Sequence, residues 1–262
     1  MAKHIKVFAC YFRLNLSSAL EYRASFISQA LGMALSNSSF IFFWWVAFDK
    51  LGGMIAGYGF GDVLFIWAAA SSAFGLSRVL FANVSGLTGL IVTGELDTFL
   101  LQPCGVLMGV LCSRTSLSSY GDLAYGFIIM GVFRGGDASA WLWFAVAVAI
   151  GALLSTAITL TAHSLTFFLG DASAIGQLAT EFAINFSIYP EKIYAPAVRA
   201  LMYSLIPIGI AIHVPLRMAA RFSAHIALAG LGGAALYCAF AGWLFYRGLR
   251  RYESGNVIVT RQ

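Results

Sequence analysis

Sixteen basic and eleven acidic side chains serve a chain of 262 residues, and few stand where they could act together. The first candidates are Glu95 and Asp97, preceded by Gly94, in the middle of the otherwise apolar stretch of residues 85–104. Two carboxylates at the centre of a crossing helix would cost about 3 kcal/mol each in hydrocarbon. This stretch therefore reads as a helical hairpin or interfacial helix beside the membrane. Its carboxylates either pair with cations of a partner or only keep the segment solvated.

A second group, Gln177, Glu181 and Asn185, recurs every four residues and shares one helix face. Ser155, Thr159 and Thr166 put small polar groups along the preceding helical stretch. Such groups line pathways or join helices by hydrogen bonds, and the joining role is the more ordinary one. Glu181 is the exception, because a lone carboxylate in a short span needs a cation or a substrate beside it. Arg114 and Asp122 are eight residues apart, too far for a direct pair on one helix. They read as anchors near the ends of a span, or as groups facing a partner subunit.

No other constellation supports catalysis. There is no phosphate-cradling G-x-x-x-x-G-K-[ST] loop, no H-E-x-x-H and no G-x-S-x-G. Cys10, Cys104, Cys112 and Cys238 lack any paired spacing and read as small buried hydrophobes. His4, His163, His213 and His225 are equally dispersed, so no metal is expected. The chain is not expected to be an enzyme.

The elements that carry these residues are set by charge placement. Apolar residues make up 60% of the chain and charged ones 10%, against about 25% charged in a soluble domain. Two 25-residue runs, Ala24–Phe48 and Phe222–Tyr246, contain no Asp, Glu, Lys or Arg. About 20 apolar residues cross a bilayer as a helix. Lys3, Lys6, Arg13 and Arg23 precede the first run, and Arg247, Arg250 and Arg251 follow the second. Because Lys and Arg stay on the cytoplasmic side, both termini are expected there, with an even number of crossings between. The same bias accounts for the net charge of +5, so nucleic acid gains no support.

Further spans are expected at about 61–80, 109–133, 140–162 and 174–189, which makes six. Ile5, Phe8, Phe12 and Leu16 line one side of residues 3–20, with Lys6, Arg13 and Ser17 opposite, as in an amphipathic helix on the membrane surface. Four of the five prolines lie between Pro190 and Pro215. Proline removes a helical hydrogen bond, and broken backbone survives at membrane depth only where protein or water satisfies it. Residues 190–221 thus read as helical pieces that dip into the outer leaflet and return. Ten of the 16 basic residues fall inside on this arrangement.

Three segments carry a family likeness. They are Gly94–Pro103, the run Pro190, Ile193, Tyr194, Pro196, Arg199, Ile206-Pro207 and Pro215, and Gly248–Gly255 closing the last helix. In this order, beside six spans, the chain resembles the type-2 permease family of ABC transporters, in the branch with a separate ATPase. The resemblance implies an all-α, type V exporter-like membrane protein in a single permease domain, 1–262. It has six transmembrane helices, an N-terminal interfacial elbow helix (1–22), a cytoplasmic coupling helix (85–104) and re-entrant external helices (190–221). It implies ATP-driven transport, usually export, by two permease subunits with two ATPase subunits. The second permease is another copy or a homologue. ATP and Mg belong to the ATPase, and no cofactor is expected on this chain. Gly94, Glu95 and Asp97 become the ATPase-coupling residues, and Gln177, Glu181 and Asn185 pathway or helix-interface residues. The expected location is a bacterial inner membrane. From a different class, a non-transporting scaffold or assembly factor is the alternative, and the cargo is not named by these residues.

Overall fold

In the computed structural model, residues 2–21, 23–102 and 104–253 are described. Two helices open the chain, α1 (Ala2–Glu21) and α2 (Arg23–Lys50). A two-stranded antiparallel hairpin follows, β1 (Met54–Ile55) and β2 (Tyr58–Gly59), with Met54 opposite Gly59 and Ile55 opposite Tyr58. Its turn places Ala56 and Gly57 at φ +51° and +81°, as a two-residue type I′ hairpin requires. Next come α3 (Phe60–Phe81), a 3-10 turn at Ala82–Gly86, α4 (Leu87–Val92), α5 (Asp97–Leu100) and α6 (Val106–Cys112). The remainder is α7 (Ser119–Arg134), α8 (Ala138–Ser164), α9 (Thr166–Leu169), α10 (Ser173–Ile188), α11 (Pro196–Tyr203), α12 (Ile208–Ala220) and α13 (Ala224–Leu249).

Among the described residues, four helices are long and apolar enough to cross a membrane: Arg23–Lys50, Phe60–Val92, Ala138–Leu169 and Ala224–Leu249. A fifth candidate is the pair α11 and α12, bent by 98° at its break. Prolines supply the bend. Pro196 starts α11, where its missing N–H costs nothing, and Pro207 sits just before α12. The two remaining expected spans are shorter, since α7 and α10 have 16 residues each. The span expected from Gly109 to Phe133 is interrupted. Residues 113–118 leave the helix because α3 captures them: Ser116 N donates to Arg78 O at 3.2 Å and Thr115 Oγ1 to Val79 O at 2.9 Å.

Packing is centred on α3 and α8, whose membrane windows are mostly buried, while α2 and α13 are mostly exposed. Between helices in lipid there is no hydrophobic gradient, so close approach of small residues does the holding. On α3, Ala68, Ala69, Ala70 and Ala73 are buried on every side. A Cβ on Gly75 would lie 2.6 Å from Leu123 N of α7, and one on Gly121 of α7 would lie 2.6 Å from Ala30 O of α2. These glycines let three helices touch backbone to backbone. Polar side chains tie the same seams: Ser71 Oγ donates to Asp122 O, and Ser77 and Thr156 bond across α3 and α8 at 2.8 Å. Asp122 sits inside the bundle, where its carboxylate accepts from Asn37 Nδ2 at 2.8 Å. It stands in the first turn of α7, near the end of that helix. Arg114 lies exposed in the break.

The α1 helix docks on the bundle through Tyr11, which donates to Gln102 Oε1 (2.7 Å), and Asn15, which donates to Cys112 O (3.0 Å). Phe8 meets Phe81 with ring centroids 6.4 Å apart, while Arg13 is exposed. The expected Ile5 and Lys6 side chains lie outside the described ones. All four cysteines are free, and Cys10 is exposed rather than buried.

Candidate functional site

At the end of the bundle where α1 docks and α13 finishes, α4 stops at Thr93 and the chain reverses through Gly94 at φ +78°. Glycine takes this left-handed conformation without the strain a Cβ would bring. Leu96 N then donates back to Leu90 O at 3.0 Å, closing a tight hairpin. Leu96 and Phe99 turn inward to pack with Leu90, Ile91, Val110 and Phe245. On the outer side stand Glu95, Leu100 and Leu101, with Leu101 87% exposed. Thr98 Oγ1 donates to Glu95 O at 2.8 Å and stiffens the tip. An apolar root thus holds a rigid tip that offers a carboxylate beside a leucine ledge.

Asp97 points toward the end of α13 rather than outward with Glu95. Burial and the neighbouring Asp97 carboxylate push the Tyr252 phenol up to about 12, so it is neutral at physiological pH. The Tyr252 ring meets Phe167, which meets Phe245, at 6.3 and 5.9 Å. Arg251 lies over the Phe168 ring at 5.1 Å. Phe167 packs so closely on Gly248 that no Cβ would fit there. Two segments singled out in the sequence, around residues 94–102 and 248–253, are therefore one structural unit. Pro103, Ser254 and Gly255 lie outside the described residues.

Gln177, Glu181 and Asn185 do share a face of α10, and all three are exposed in the single chain. Asn185 Nδ2 caps back onto Glu181 O at 2.9 Å. Gln177 and Glu181, but not Asn185, line a cavity of about 610 Å³ between the α3–α4 wall, α8 and α10. Val92 and Thr93, next to Gly94, line it as well. The hairpin and the cavity accordingly share one helix. On the inner side, Thr159 meets Thr180 at 3.3 Å, and Thr88 bonds His163 Nδ1 (2.8 Å) and Thr166 (2.9 Å). Thr159 and Thr166 act as the joints expected of them, whereas Ser155 Oγ donates to Ala152 O within α8.

Two arrangements were not foreseen. Arg78, close to the end of the span expected at about 61–80, lines the same cavity. At the opposite end of the bundle, buried Glu191 accepts from Tyr203, and Arg217 lies 3.9 Å from the carboxylate and donates to the Tyr203 hydroxyl at 3.0 Å. Burial and the Glu191 charge push the hairpin's Tyr58 up to about 12. Lys192 sits 5.2 Å over the Tyr58 ring. The signal available was Glu191, an acidic residue directly after the first proline of the segment.

An α-helical bundle with several membrane-length helices, a broken helix pair and an exposed hairpin at one end defines a multi-pass membrane protein. The family model for ABC-2 family transporter protein matches residues 34–255. The chain belongs to that family, as an ABC-2-type permease. No curated protein matches the chain. Membership implies a membrane setting and an ABC ATPase as partner, with the permease itself a transport component and not a catalyst.

Proposed function

We propose that this chain is the pathway-forming subunit of an ATP-driven exporter, working as a pair of permeases with two separate ATPase subunits. Both termini and the Gly94 hairpin face the cytoplasm, in a bacterial inner membrane. The observation that carries the reading is the hairpin tip. Glu95, Leu100 and Leu101 are presented outward, while Leu96 and Phe99 are locked into the same cluster as Phe245 of α13. A push on the tip is transmitted along α4 to the cavity wall at Val92 and Thr93, because a packed core moves as a unit. Glu95 meets a cation in a groove of the ATPase, Gly94 sets the reversal, and Asp97 holds the tip against Tyr252.

The exposed polar face of α10 supports pairing of permeases. Glu181 facing lipid would cost about 3 kcal/mol, far more than one helix–helix hydrogen bond returns, at about 0.6 kcal/mol. A second permease enclosing water over this face removes that cost. With α7 and α10 counted as short crossings, shielded by their neighbours, the chain spans six times. The segment 190–221 then dips from the outer side, and the Glu191–Tyr203–Arg217 cluster holds its fold.

The test is co-purification of the ATPase with a Glu95→Ala, Asp97→Ala double variant. We expect about a tenfold loss of bound ATPase, the equivalent of about 1.4 kcal/mol, with normal membrane insertion. Unchanged co-purification and transport would sink the coupling role.

A further inference from the structure

We propose that the cavity between the α3–α4 wall, α8 and α10 is a binding site for a zwitterionic group, an anion and a primary ammonium joined by a short linker. The proposal rests on the transporter reading and names the substrate class. Its volume of about 610 Å³ lies within the usual range for small-molecule sites, about 300–1,000 Å³.

The walls carry opposite charges. Arg78 and Ser85 stand on the α3–α4 side, Gln177 and Glu181 on α10. None of these four side chains makes a hydrogen bond or salt bridge with a described residue. The hydroxyls nearby are already engaged: Thr93 donates to Gly89 O and Thr180 to Gly176 O. What remains for a ligand is a carboxylate, an amide, a hydroxyl and a guanidinium that also feels the Asp122 carboxylate in the adjoining cavity. Asp171 at the same cavity adds a second carboxylate, whose pKa is held below the usual range by the Ser173 backbone N–H.

A purely anionic ligand would satisfy Arg78 but meet two carboxylates. A purely cationic one would face the guanidinium. A zwitterion pairs with both walls through charge-assisted hydrogen bonds, roughly twice as strong as neutral ones. Arg78 and Ile184 also border a second cavity of about 340 Å³, whose wall includes Met33, Trp67, Phe74 and Ile188. The same cavity is also lined by Asn37, Ser71 and Asp122, so it extends the site without selecting an apolar chain. The shared chemistry is that of a phosphoethanolamine group, carried by a lipid or by a soluble molecule.

Binding is measured on the purified full-length permease alone, by titration calorimetry, with four probes. Dihexanoyl phosphatidylethanolamine and glycerophosphoethanolamine are the zwitterions, dihexanoyl phosphatidylglycerol the anion and hexyltrimethylammonium the cation. The expected result is saturable binding of at least one zwitterion, tighter than either singly charged probe. Arg78→Gln and Glu181→Gln each weaken it about tenfold or more, while Arg78→Lys and Glu181→Asp restore part of it. The milder Gln177→Ala also weakens it, and every variant is compared only as a monodisperse species. Binding of the lipid alone assigns the amphiphile, and equal binding of both zwitterions the soluble molecule. Absence of zwitterion binding, equal affinity for a singly charged probe, or indifference to both charge-removing variants overturns the proposal. Zwitterion binding by a permease that captures no ATPase in the separate co-purification would sink the transporter reading and leave the site standing. Intact ATPase coupling without binding would sink the site alone.

Discussion

Asp137 shows how a single carboxylate fixes a helix start. Its Oδ1 accepts from Ala140 N at 3.0 Å, capping α8, and Arg134 reaches it at 3.4 Å and Asp62 at 3.9 Å. The backbone bond from Ala140 holds its pKa below the ordinary carboxylate value. A depressed pKa means the folded state favours the charged form. The stabilisation is therefore present above the ordinary carboxylate pKa and fades as pH falls through the lowered one. Asp137→Ala is expected to lower the thermal midpoint at neutral pH by a small, measurable amount, and the gap to the parent should close at acidic pH. A pH series of melting curves checks it. The ion pairs of Arg134 are exposed and screened by solvent, so the cap and not the pair should account for the change.

At the scale of elements, close backbone contact makes the α2–α3–α7 seam intolerant of bulk. Gly75 and Gly121 each leave less than van der Waals space for a methyl group, and the obstructing atoms are backbone. Gly75→Ala and Gly121→Ala are expected to destabilise the permease by about 1–3 kcal/mol. By contrast, Gly232→Ala on α13, where nothing lies within 4 Å, should be neutral. Thermal unfolding in detergent distinguishes the three. Much of this level was readable in the sequence. The charge-free runs Ala24–Phe48 and Phe222–Tyr246 fall within α2 (Arg23–Lys50) and overlap nearly all of α13 (Ala224–Leu249). The break at 113–118 was not readable, because its cause is hydrogen bonding to Arg78 and Val79, more than 30 residues earlier.

For the whole molecule, distant pieces meet at both ends of the bundle. Gly94, Glu95 and Asp97 were marked by carboxylates in an apolar stretch, and the structure places that stretch against the end of α13 through Phe245 and Tyr252. Charge alone could mark such residues. It could not tell that Glu95 turns outward and Asp97 toward Tyr252, since that depends on how α5 lies on α13. Glu191 and Arg217 are separated by 26 positions and meet only because α11 and α12 bend by 98°. Arg78 became part of a cavity because α10 folds back beside it, a proximity no local pattern encodes.

The central claim is that the Gly94 hairpin end faces the ATPase. Leu101 on that end is 87% exposed, and Leu142, near the opposite end of α8, is 60% exposed. Cysteines introduced one at a time as Leu101→Cys and Leu142→Cys, with exposed Cys10 replaced by Ser, provide the comparison. In membranes holding the ATPase, a short bifunctional thiol–amine cross-linker should join Leu101→Cys to the ATPase and leave Leu142→Cys unlinked. Cross-linking at position 142 and not at 101 would contradict the account.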